Sequence, residues 1–387
     1  MKQWLCSSLV LLVWLSACQE KKTAPPETSA PVAIAPPTDT VAVIDTVFET
    51  QLRYTEEYEH HQDQYEFRAG EDVYKAFTES YSLNDSSLVQ IWPDSAGGRL
   101  VGYKGLRCHN HVYKIRLTKN GKLLYQKQFS KPDFLKLEDT DYIKESVPFA
   151  PTFRGVTADG RVIFDMWFGF PESDAGEISF FTTDLKGTLL QLEAYSGTGG
   201  AGCERGVEVT PNGQYFLSCQ KLYGPKRYEF NFGKEEMVTA RFLSDTSFVA
   251  LYNYVRRYYD PQKREWQEEY DDKTPNLIIY HVSGKKLASH FYHGFFNILD
   301  YQAPIDVLKE QGVLLLLDEA KKEVQTISMT HPQSAATTKL SSLTKLLNGK
   351  RQAAWHESPE FYAMEGKYRF YFAADTLKAY AVTDLGQ

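Results

Sequence analysis

The chain has 387 residues, a formal net charge of -7, 42% apolar residues and 14% aromatic residues. That apolar content is ample for a packed core and excludes a wholly disordered protein. The mild acidity argues against a nucleic-acid partner, which selects a basic face.

The N-terminus places Lys2 ahead of an apolar run and then small residues, the layout of an export signal. The run is about 11 residues, whereas a membrane-spanning helix needs roughly 20. The tetrad Leu15-Ser16-Ala17-Cys18 resembles the lipobox of bacterial lipoproteins. That resemblance implies that residues 1–17 are a signal peptide removed on export and that the Cys18 thiol carries diacylglycerol, so that lipid on Cys18 ties the chain to the cell envelope. Gln19 stands where an Asp would imply inner-membrane retention, so the resemblance implies the outer membrane. Lys21 and Lys22 interrupt the acidic cluster of surface-sorted lipoproteins, which leaves the leaflet open. Loss of Lys2 with the peptide would take the net charge from -7 to -8.

Residues 18–46 form the expected tether. They hold five of the 17 prolines and no aromatic residue, a Pro/Ala/Thr composition that stays extended. At roughly 3 Å per residue it reaches tens of ångströms. Asp39-Thr40-Val41 and Asp45-Thr46-Val47 also resemble an O-glycosylation acceptor of some bacteria.

From residue 67 to 387 short runs rich in Val, Ile, Tyr, Phe and Leu alternate with Asn-Gly, Asp-Gly or Ser-Gly turns, which predicts an all-β body. Two kinds of hairpin alternate. One is His111–Leu124, echoed by Ile178–Leu190 and Asn276–Leu287; the other is Phe153–Phe164, echoed by Gly206–Leu217 and Ala240–Leu251. One hairpin of each kind makes a four-stranded blade. Here the chain resembles β-propeller proteins, in particular bacterial lipoproteins with propeller domains. The resemblance implies an irregular β-propeller; a β-sandwich or two smaller β domains are the alternatives. Gly121, Gly187 and Gly284 are 66 and 97 residues apart, whereas regular blades repeat at roughly 40 to 50, so irregular blades or insertions are required. Gly312–Asp318 reads as a strand buried on both faces, and Leu340–Leu347 is the best helical stretch.

Several segments suggest sites. Cys108-His109-Asn110-His111 is the most ligand-like cluster, with His109 and His111 as weak metal candidates. His290 and His293 are weaker still. Gly197–Gly202 is rich in glycine but lacks the Lys-Ser/Thr ending of a phosphate loop. Placing Thr210 opposite Gln214 would bring Cys203 near Cys219, within reach of a disulfide. Tyr252, Tyr254, Arg256, Tyr258 and Trp266 lie on an expected hairpin turning at Asp260-Pro261 and carry the residue types that anchor interfaces. Gly-x-Ser-x-Gly and His-Glu-x-x-His are both absent, Asp165, Asp184, Glu204 and Asp318 cannot be paired by spacing, and no cofactor is called for. The expected function is a non-catalytic protein-interaction scaffold on the envelope. The alternative is a carbohydrate-binding or glycoside-cleaving surface protein.

Overall fold

A computed structural model describes residues 46–54, 60–173, 175–197, 206–233, 236–297, 301–346 and 354–383. The segments expected to be the lipobox and, up to residue 45, the tether lie outside the described residues. No described helix is long and apolar enough to cross a membrane.

The body is all-β, and its sheets follow one another along the chain. Five are four-stranded antiparallel meanders. The first comprises His60–Ala69, Asp72–Ser82, His111–Lys119 and Lys122–Ser130; the second Thr152–Val156, Val162–Gly169, Gly176–Thr183 and Leu189–Gly197. The third is reduced to two- and three-residue strands between Glu208 and Asn231. The fourth comprises Glu236–Ser244, Ser247–Asn253, Leu277–His281 and Lys286–His290; the fifth Ile305–Leu308, Val313–Asp318, Glu323–Ser328 and Ala335–Lys339. A sixth sheet is five-stranded and is built around Gly366–Ala373 and Thr376–Thr383. The first meander begins at His60, seven residues ahead of the boundary expected at 67, and Thr46–Thr50 is itself a strand.

The two kinds of hairpin occupy fixed places in these meanders. Asn120-Gly121, Gly187 and Gly284 all lie between third and fourth strands, and Gly121, Gly187 and Gly284 have φ of 78°, 77° and 83°. A side chain at such φ is strained, so glycine marks the turn. The first interval of 66 is lengthened by helices α1 (Lys131–Leu135) and α2 (Asp141–Glu145), which join the first two sheets. The interval of 97 spans two sheets, one shortened and one carrying an insertion.

Four apolar clusters lie between consecutive sheets. Phe129, Phe164 and Phe181 join the first sheet to the second, and Phe180, Phe216, Tyr223 and Phe248 run from the second through the third to the fourth. Val249, Ile279, Leu314 and Leu316 join the fourth to the fifth. Leu315 and Leu317 point the other way, onto Phe370 and Phe372 of the sixth. Leu314 to Leu317 are all fully buried, so the strand is apolar on both faces because it lies between two sheets. Among the described residues, all four clusters are drawn from residues 65–382.

Two expectations are corrected. Leu340–Leu347 is not helical beyond one 3-10 turn at Leu340–Ser342; it passes directly into a strand at Thr344–Lys345. Thr210 does not face Gln214: its N–H donates to the Tyr215 carbonyl, and Val209 pairs with Phe216. The Thr210 hydroxyl bonds within this turn, which shifts the register by one residue.

Two further hairpins are inserted, each between the second and third strands of a four-stranded sheet. Leu88–Ala96 and Arg99–Cys108 leave the first sheet, and Thr46–Thr50 adds parallel to the second of them. Val255–Asp260 and Glu265–Tyr270 leave the fourth sheet as a separate two-stranded ribbon.

Candidate functional site

The opening strands of consecutive sheets supply one charged cleft. Thr152–Val156 packs on both His60–Ala69 and Glu208–Val209. A cleft of about 440 Å³ is lined by Phe153 and Arg154 of the second sheet, Glu208 of the third, Arg241 and Phe242 of the fourth and Lys309 just after the opening strand of the fifth. Its charges come from four sheets, so its geometry depends on how those sheets pack.

Ion pairs fix the cleft walls. Arg241 donates from Nε to Glu208 (3.3 Å) and from Nη1 to Asp306, so one guanidinium ties the third, fourth and fifth sheets together. The second Glu208 oxygen accepts the Phe242 N–H at 3.0 Å. Arg154 pairs with Asp165, whose carboxylate also accepts the Val207 N–H at 3.2 Å. Burial nevertheless raises the Asp165 carboxyl to about 6, against the opposing pull of Arg154. Lys309 is exposed and makes no ion pair among the described residues. Asp165, Glu208 and Asp306 are therefore all engaged by arginines.

The cysteine–histidine cluster is a buried packing site. His109 and His111 are almost completely buried, and the Tyr54 ring lies edge-on 5.4 Å and 5.7 Å from them. His109 Nδ1 accepts the Ser86 N–H at 3.0 Å, which places the proton on Nε2, facing the Leu52 carbonyl at 3.1 Å. Both of its nitrogens are used within the protein. His111 Nδ1 lies 3.3 Å from the Tyr113 hydroxyl, and burial, with Lys131 and His109 nearby, holds its pKa well below the usual range. No metal-binding group of three or more His, Cys, Asp or Glu is present among the described residues.

Lys131 lies beside this cluster. It is fully buried, donates from Nζ to the Lys144 and Ser146 carbonyls (2.7 Å and 2.8 Å), and is depressed by burial to about 7. Cys108 is a buried free thiol raised by burial to about 11, so it is not activated for chemistry.

The expected interaction hairpin is present but begins later than its sequence suggested. Tyr252 and Tyr254 are not on it. Tyr252 is buried in the fourth sheet, donates to the Phe232 carbonyl at 3.0 Å and stacks on Tyr254. The ribbon proper turns at Pro261–Arg264. Its register pairs Tyr259 with Trp266, Arg257 with Glu268 and Val255 with Tyr270, placing all six on one face. Trp266 is 71% exposed and Tyr270 60%. Arg256 and Tyr258 lie on the opposite face, with the guanidinium over the ring at 6.0 Å. Sequence reasoning thus found the segment but not Tyr259 and Tyr270; period-two alternation from Trp266 would have found them.

The remaining residues do not converge. His290 bonds the Pro332 carbonyl at 2.7 Å from within a strand, whereas His293 is exposed in an irregular segment. Asp184 accepts the Lys186 and Thr188 N–H groups of its own turn, and Asp318 pairs with Lys321. Cys219 is disulfide-bonded. Cys203, Glu204 and all but the first residue of Gly197–Gly202 lie outside the described residues. The chain matches no protein-family model and no curated protein.

Proposed function

We propose that this protein is an exported, lipid-anchored envelope protein whose sheets form an irregular six-bladed β-propeller and serve as a non-catalytic scaffold for a protein partner. The propeller reading is supported by six successive sheets, of which the second to the fifth line a shared cleft at their opening strands. The observation that carries the scaffold reading is the projecting ribbon with Tyr259, Trp266 and Tyr270 exposed on one face. Large aromatics held on a rigid β-scaffold lose little conformational freedom on binding and commonly anchor interfaces. Among the described residues, the carboxylates at or beside the cleft, Asp165, Glu208 and Asp306, are each paired with an arginine, an arrangement that favours a structural role for them.

The test is recovery of the lipidated protein from mildly solubilised membranes. A partner at near-equal amounts is expected, and its loss in a Tyr259→Ala/Trp266→Ala variant would assign it to the ribbon. A partner retained in full by that variant would remove the ribbon from the interface. A second reading, sugar binding, is favoured by one feature: Phe153 and Phe242 line the cleft beside Arg154, Glu208 and Lys309. Titration with envelope oligosaccharides, repeated on Lys309→Ala, tests it.

A further inference from the structure

We propose that the inserted hairpin Leu88–Cys108 is a membrane foot that seats the body on the bilayer interface. It rests on the lipid-anchored reading above and adds a second, non-covalent contact. Its base is fixed: the Leu88–Ala96 strand packs on α2, Cys108 is buried, and Gln51 Nε2 donates to the Glu145 carbonyl at 3.0 Å. Among the described residues, its distal half has no such cover.

There the three strands expose apolar side chains on both faces. Ile91 and Tyr103 lie on one face, Val47 and Trp92 flank Lys104 in a cross-strand row on the other, where Lys104 pairs with Asp94 at 3.3 Å, and Leu100 and Val101 sit at a register break beside the Gly97-Gly98 turn. Ile91 and Val101 are each 54% exposed, and Val47 67%. A flat protein partner covers one face of a sheet. A thin wedge with apolar side chains on both faces suits a medium that surrounds it, and exposed apolar surface of this extent marks a binding site.

Three further observations favour a bilayer. Trp92 and Tyr103 are the aromatic types that settle at headgroup level. The three strands carry Arg99, Lys104 and Arg107 against Glu49 and Asp94, one net positive charge on a chain of -7, which complements anionic headgroups. The tether from Cys18 also enters the body through this sheet, because Thr46 is the first residue of its parallel strand. A tether of 27 residues, 19–45, gives the foot an effective concentration at the membrane on the order of millimolar, so weak intrinsic affinity suffices to seat it. The edge strand carries Pro93, which lacks an N–H and discourages pairing with another sheet edge.

The test uses the unlipidated chain from Gln19, which retains all four apolar clusters, with sedimentable vesicles of equal parts phosphatidylcholine and phosphatidylglycerol. Wild type is expected to sediment with the vesicles. Leu100→Asp/Val101→Asp should lower the bound fraction about tenfold with unchanged melting temperature, and Trp92→Ser should lower it less. Trp266→Ala, on the other hairpin, should bind as wild type. Failure of wild type to sediment, or equal binding by the double Asp variant, overturns the foot. Mass analysis of Cys18 from native membranes reads the anchor separately: an acyl group without vesicle binding rejects the foot alone, and vesicle binding without an acyl group rejects the anchor alone.

Discussion

The two inserted hairpins occupy the same slot, between the second and third strands of a four-stranded sheet, yet they differ in surface chemistry. The Leu88–Cys108 hairpin gains a third, parallel strand and exposes aliphatic side chains on both faces. The Val255–Tyr270 ribbon stays two-stranded, exposes Tyr259, Trp266 and Tyr270 on one face and pairs Arg257 with Glu268 across its strands at 2.9 Å. A loop at this position leaves the sheet without disturbing its ladder, so composition there is free to follow what it touches. Surface chemistry, not topology, distinguishes them.

The comparison predicts that stability resides in the sheets and recognition in the hairpins. The largest effect is expected at Phe181, which is fully buried and lies 5.0 Å and 5.2 Å from the rings of Phe164 and Phe134. Phe181→Ala should cost about 3–5 kcal/mol by denaturant titration, against about 0.5 kcal/mol or less for Trp266→Ala. A similar loss at both would refute the division. Next comes Arg241→Met, which strands Glu208 and Asp306 without their cation; about 3 kcal/mol is expected. A triple change that also removes both carboxylates should recover much of that loss, and failure to recover would mean that the guanidinium acts through packing instead.

How much of this was legible in the sequence follows from local signals. The third–fourth strand turns were readable where glycine supplies positive φ, as at Gly121, Gly187 and Gly284. The second half of the third sheet hid because its corresponding turn places Lys226 and Arg227 at φ 56° and 61°, whereas its glycine, Gly224, is extended and does not mark the positive-φ position. Helices α1 and α2 hid because five residues are too few to show a period. The signal for α1 was Ser130-Lys131-Pro132-Asp133, in which the Asp133 carboxylate accepts the Ser130 N–H at 3.0 Å, and that for α2 was the N-cap Thr140, whose hydroxyl accepts the Ile143 N–H. The charged cleft was invisible, since Arg154 and Lys309 meet only through sheet packing. The Cys108–His111 cluster was visible but ambiguous: the ring nitrogens of His109 are used by backbone groups from residues 52 and 86, which no spacing rule anticipates.

The bases of the two hairpins also differ, and pH should separate them. The first stands near Lys131, His111 and Cys108; the second is held by Asn276, which donates to the Tyr252 and Tyr292 carbonyls and has no ionisable group. Lys131 has a folded pKa of about 7, below its usual 10.5, so between these values the unfolded chain binds more protons. Stability should therefore rise with pH above 7. From pH 7 to about 7.5, below the range where the unfolded Cys108 thiol titrates, the melting temperature is expected to climb in wild type and to stay level in Lys131→Met. Hydrogen exchange should show slower opening at residues 88–108 over that range and no change at 255–270. A slope that persists in Lys131→Met would assign it elsewhere.

The smallest effect tests whether the tether strand is part of the first hairpin's design. Phe48 lies directly over Gly105, where an added Cβ would meet the ring at 2.5 Å, and Arg107 holds the other side of that ring at 4.9 Å. Gly105→Ala should displace this exposed, movable ring at a cost of about 1 kcal/mol or less. Amide exchange at Phe48–Thr50 should nevertheless accelerate, because the strand loses its seat while the Leu88–Cys108 ladder keeps its own hydrogen bonds. Unchanged exchange there would mean that backbone pairing with Tyr103–Arg107 alone holds the strand. The wedge would then owe its third strand to the ladder and not to the aromatic contact, a dependence that the two-stranded ribbon at Val255–Tyr270 does not have.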